Sequence, residues 1–190
     1  MDIIFKKVTV AYRDSEILKD FCCEFKEGEL TLLKGPSGIG KTTVLNLTAG
    51  LLKPDSGSIY IDKTQRIRAV FQEDRLLENM SIYANLKLVS EESLSLQELE
   101  KLLCEVGLDI SPFEKISSLS GGMKRRIAIL RALIPNPDIL LLDEAFSGMD
   151  EETAKKVLSF IMKEARGKTI IASTHRAELF EKYPHFEIEL

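Results

Sequence analysis

The stretch GPSGIGKTT, Gly35 to Thr43, restricts what this chain can fold into more than any other. It matches G-x-x-x-x-G-K-[ST] at Gly35, Gly40, Lys41 and Thr42. The apolar run LTLLK precedes it and the helical pattern KTTVLNLTAGLL follows it. A glycine-rich turn between strand and helix lets backbone N–H groups wrap closely around phosphate oxygens. Lys41 places a cation at the β and γ phosphates, and the Thr42 hydroxyl is suited to ligate Mg2+. Pro36, Ser37, Gly38, Ile39 and Thr43 complete the same cradle. A plain strand-to-helix turn explains the glycines, but not the lysine and hydroxyl beside them.

Around this loop the pattern alternates strand and helix. IIFKKVTVAY (3–12) is rich in β-branched residues. FCCEF and LTLLK flank a turn at Gly28, which predicts a hairpin. GSIYI and IRAVFQ predict two more strands. From about Ser81 to Leu108 the pattern turns helical, with Leu96, Leu99, Leu102, Leu103 and Val106 on one face and Gly107 as the stop. After Gly121, the residues Met123, Ile127, Leu130 and Ile134 recur at helical spacing. ILLLDEAF and KTIIAST have the continuous apolar character of strands buried on both faces. EETAKKVLSFIMKEA places acids at a helix start and Lys163 near its end. HFEIEL predicts a last edge strand. The order predicts an α/β fold with a mostly parallel sheet, a β-rich N-terminal portion and a small helical insert.

Composition narrows the partners. The chain has 190 residues, 26 Lys plus Arg against 30 Asp plus Glu, and a net charge of −4. That balance argues against a broad nucleic-acid surface, and Lys124–Arg126 is expected to be a solvated helix face. Three cysteines without regular spacing suit a reducing compartment. No apolar run of about 20 residues spans a bilayer, and MDIIFKKVTV does not read as a signal peptide. If the chain works at a membrane, another chain is expected to do the spanning.

Two further stretches carry chemistry. Asp143 ends the run ILLLD, where a carboxylate is placed to hold Mg2+, and Glu144 follows it facing the other way. A carboxylate there is suited to orient or deprotonate an attacking water. SLSGGMKRR, Ser118 to Arg126, looks like a second anion-seeking helix start. One loop is enough for a nucleotide's phosphates, so this second start needs its own explanation.

Assembled, these residues resemble the ATP-binding-cassette (ABC) ATPases, the motor subunits of ABC transporters. The likeness runs from about Tyr12 to His175. LSGGM looks like the family signature, which normally ends in Gln rather than Met123. VFQEDRLL looks like the Q-loop, SGMD like the D-loop and STH like the switch. The resemblance implies a P-loop NTPase core, an antiparallel N-terminal subdomain, and a helical subdomain at about 78–134 within one domain. It implies ATP and Mg2+ as cofactors. Gln72 is implied to reach Mg2+ and the attacking water, His175 the γ-phosphate, and Asp150 a subunit interface. Tyr12, 29 residues before Lys41, suits the aromatic that stacks on adenine. Lys41, Gln72, Glu144 and His175 are the implied catalytic set, and Thr42, Gln72 and Asp143 the implied Mg2+ set.

The family pairs two chains head to tail. That pairing would set Ser120, Gly121 and Gly122 against ATP held by a second copy. The partners expected are thus a second copy and transmembrane permease subunits, with no nucleic acid. The location expected is cytoplasmic, at the inner face of the cell membrane. Regulation of a division or envelope complex is the alternative. A soluble role on DNA or ribosomes fits less well. Only 78 positions separate Thr42 from Ser120, and no sustained heptads fill them.

Overall fold

A computed structural model describes residues 1–12, 15–90 and 94–190. The sequence builds eight strands and five α-helices among these residues. β1 (Ile3–Tyr12), β2 (Ser15–Phe25) and β4 (Ser56–Tyr60) form an antiparallel sheet in the order β2-β1-β4. β3 (Leu30–Lys34), β5 (Ile67–Val70), β6 (Ile139–Asp143), β7 (Thr169–Ser173) and β8 (Phe186–Glu189) form a second sheet, ordered β5-β6-β7-β3-β8. All of its pairings are parallel.

The parallel sheet divides the core in two, and strand period decides which side each residue joins. Leu140, Leu142, Ile170 and Ala172 face α4 (Gly121–Leu133) and α5 (Glu151–Glu164). Ile139, Leu141 and Ile171 face Val44 and Leu45 of α1 (Lys41–Thr48), beyond which lie Phe5 and Val8 of the antiparallel sheet. β6 and β7 are buried at every position, which explains their unbroken apolar runs. α2 (Ile82–Lys87) and α3 (Leu96–Glu105) join the first side through Ile82, Leu86, Leu99 and Leu103. Residues 91–93 of the helical pattern lie outside the described residues.

Three expectations need correction. Gly28 does lie in a turn, where the Glu29 N–H donates to the Lys26 carbonyl at 3.3 Å. It does not close a hairpin, because β2 and β3 belong to different sheets. β3 is apolar on both faces, and only a place between β7 and β8 buries both. Leu96 is not on the buried face of α3; at the first turn it is 43% exposed. Lys124–Arg126 is not a solvated face, since Arg125 is buried. The edge position of β8 and the bounds of β1 follow the sequence reading.

Candidate functional site

The carboxyl ends of β5, β6, β7 and β3 lie side by side, and the chemistry-bearing residues follow them directly. Gln72 follows β5, Glu144 follows β6, His175 follows β7 and the loop 35–40 follows β3. Neighbouring parallel strands thus gather groups that are up to 140 positions apart in sequence. They line a cavity of about 350 Å³ together with Tyr12, Lys41, Thr42, Thr43 and Asp143. A larger groove of about 640 Å³ between α3, α4 and α5 opens at the other end of β5 and β6, away from these groups.

α1 begins at the cavity without a side-chain cap. Its first N–H groups are therefore free to meet an anion, as helix starts do in phosphate loops. Gly40 makes the entry possible: its φ is 121°, and a Cβ there would meet Leu18 and Ile17 at 3.0 and 3.1 Å. Lys41 is 7% exposed, and its ammonium donates to the Gly35 and Pro36 carbonyls at 2.7 and 2.9 Å. The cation is thereby held over its own loop, where a phosphate would compete for it. Of the cradle, Ser37, Gly38 and Gly40 through Thr43 line the cavity; Gly35, Pro36 and Ile39 shape the loop behind them.

Asp143 is 3% exposed and accepts from the Ser173 hydroxyl at 2.5 Å. Glu144 stands in a conformation side chains avoid, with φ 49°. Such an outlier persists only where its surroundings impose it, and it often marks a functional position. Its own N–H donates to the Ser173 carbonyl at 3.1 Å, and its carboxylate accepts from the His175 N–H at 3.3 Å. The other carboxylate oxygen is buried, 3.5 Å from the His175 ring Nε2 and without a hydrogen bond. A carboxylate with one free, buried oxygen beside a phosphate cradle can receive a proton. Tyr12 is 49% exposed, so a ring face is open for stacking.

Ser120, Gly121, Gly122 and Asp150 do not line this cavity. Ser120 caps α4, its hydroxyl accepting from the Met123 N–H at a long 3.4 Å. Asp150 caps α5, accepting from the Thr153 N–H at 2.8 Å and the Thr153 hydroxyl at 2.7 Å. Those two bonds hold its carboxyl below the usual range. The two helix starts touch: a Cβ on Gly122 would lie 2.8 Å from the Gly148 carbonyl. Glycine at 122 therefore lets the two loops pack into one exposed face. Ile17, Ser147 and Ser173 also line the cavity, beyond the residues to which the motifs assign a role. Ser147 and Ser173 sit inside the quoted SGMD and STH stretches. Ile17 has no local signal, because only the packing of β2 beside Gly40 brings it there.

A parallel sheet presenting a phosphate cradle and a carboxylate pair at its strand ends defines a P-loop nucleotide-binding core. The sequence profile described as ABC transporter matches residues 18–147, more than half of the chain, and the chain belongs to that family. It is 37% identical to the taurine import ATP-binding protein TauB of Pelagibacter ubique, over 94% of this chain and 71% of that protein. It is 35% identical to the spermidine/putrescine import ATP-binding protein PotA of Fusobacterium nucleatum, over 92% of this chain. The chain spans 50% of that relative's length. Among solved structures, the dimeric ATP-binding cassette MJ0796 in a post-hydrolysis state with ADP and Pi superposes with a TM-score of 0.80 at 30% identity. That match covers 93% of this chain and 89% of the other. A putative ABC transporter ATP-binding protein from Pyrococcus furiosus gives 0.84 at 25% identity, covering 100% and 98%.

Proposed function

We propose that this chain binds ATP with Mg2+, hydrolyses it, and energises transmembrane permease subunits through ATP-dependent pairing of two copies. The observation that carries this reading is the meeting of Lys41, Gln72, Asp143, Glu144 and His175 in one cavity. The loop 35–43 holds the phosphates, with Lys41 at the β and γ groups and Tyr12 under the base. Glu144 takes a proton from the attacking water, and His175 steadies the γ-phosphate. The water oxygen then bonds to the γ-phosphorus as the bond from that phosphorus to the bridging oxygen breaks, and the bridging oxygen leaves with its electron pair on ADP, releasing phosphate.

The Thr42 hydroxyl, the Gln72 amide and the Asp143 carboxylate all offer oxygen, the hard donor type that Mg2+ prefers, and all line the cavity. These residues would hold the ion, which neutralises phosphate charge when bound.

The exposed residues Ser120, Gly121 and Asp150 support a second copy as the missing half of the site. The anion-seeking helix start lies outside its own chain's cavity, which supports a role towards the phosphate held by another copy. The chain acts as one domain, with residues 78–134 as a helical lobe. Among the described residues no helix is long and apolar enough to cross a membrane. The working position is the inner face of the cell membrane, against a partner that spans it.

Affinity capture from detergent-solubilised membranes tests the transport reading. The expected result is stoichiometric recovery of a polytopic membrane protein. Recovery with DNA or ribosomes, and no membrane protein, would overturn it. Met123 adds a second expectation. A thioether accepts hydrogen bonds weakly and donates none, whereas an amide does both. Met123→Gln should lower the ATP concentration for half-maximal pairing by about threefold, roughly one added hydrogen bond. Pairing curves that superpose would show that the backbone of this helix start suffices.

A further inference from the structure

The chain after β5 is fastened to α4 along most of its length. Arg125 has only 8% of its side chain exposed. Its guanidinium donates to two consecutive main-chain carbonyls, those of Phe71 and Gln72. It also lies 3.1 Å from the Asp74 carboxylate. Arg131, further along α4, donates to the Asp74 carbonyl at 3.0 Å. Lys124 pairs with Glu78 at 2.7 Å. The turn also closes on itself, with the Arg75 guanidinium 4.0 Å from the centre of the Phe71 ring.

A buried guanidinium is costly unless its donors are satisfied. Here the partners are mainly carbonyls of the backbone. Such bonds fix the path of the chain whatever side chains it carries. The path that is fixed is the one presenting the Gln72 side chain to the nucleotide cavity. Arg125 sits on the same helix that Ser120 caps, about one turn from its first residue, Gly121.

We propose that Arg125 is a positioning residue for hydrolysis: its fork on the Phe71 and Gln72 carbonyls holds the Gln72 amide in the cavity, in fixed relation to the Ser120 helix start. This inference rests on the role proposed above for Gln72. Arg125 touches no substrate and acts through the backbone it grips.

The test is a double-mutant cycle in the full chain, read as steady-state ATP hydrolysis and as amide hydrogen exchange. Arg125→Met is expected to lower kcat about tenfold or more while KM for ATP stays within about twofold, since a shift of one ångström at a reacting centre is felt that strongly. In a Gln72→Ala background the same substitution is expected to cost less than about twofold more, because nothing remains to be positioned. Arg125→Lys keeps the charge but not the fork, and is expected to fall between wild type and Arg125→Met. If Arg125→Met does not fold, Arg125→Lys carries the cycle alone. The amides of 71–78 should exchange faster in the Arg125 variants, with those of 35–43 unchanged. Gln72→Ala turning over at the wild-type rate would overturn the Gln72 role and this proposal with it. A slow Gln72→Ala with fully additive losses in the double variant would overturn the positioning role of Arg125 alone.

Discussion

Replacing Glu144 with Gln is expected to leave ATP binding intact and to slow hydrolysis at least ~100-fold. The substitution keeps the shape of the side chain. Its amide oxygen can still accept the His175 N–H, so the turn holding residue 144 in its unusual conformation is preserved. What disappears is the capacity to take a proton. The cradle is untouched, because Lys41 is held by Gly35 and Pro36 rather than by the carboxylate. Nucleotide titration together with single-turnover hydrolysis separates the two effects. A near-normal turnover rate would show that another group removes the proton.

Ser120→Arg is expected to spare ATP binding by the isolated chain while cutting steady-state hydrolysis about 100-fold, the scale set by losing one preorganised donor to a developing charge. Ser120 is exposed and lies outside its own chain's cavity. A long cationic side chain there obstructs only a surface that a second copy must approach. Losing the helix cap costs about 1 kcal/mol, so the fold should survive. Ser120→Ala separates the two contributions, since it removes the hydroxyl and the cap without adding bulk or charge. Equal activity in Ser120→Arg and wild type would mean that this helix start never meets a phosphate.

The phosphate loop, the carboxylate pair and the buried strands were legible in the sequence because each depends on neighbours in the chain. Gly40, Lys41 and Thr42 fall within one turn, and β6 shows its burial in five consecutive apolar or terminal positions. The Gly28 turn misled because a hairpin and a passage between sheets begin with the same local turn. Only the long-range pairing of β3 with β7 and β8 distinguishes them. The Arg125 contact was hidden for a similar reason. A basic triplet on a helix looks solvated until a loop 53 positions away is known to lie against it. Ile17 belongs to the same class, as an ordinary strand residue made part of a site by packing.

The pairing of two copies across two nucleotides is tested most directly by the mass of Glu144→Gln in solution, measured by light scattering with and without ATP and Mg2+. A single chain weighs 21.4 kDa. With ATP the mass should double, and it should return to that of one chain when ATP is removed or when Ser120→Arg is added to the same chain. A mass that stays at 21.4 kDa under saturating ATP would contradict a site completed by a second copy.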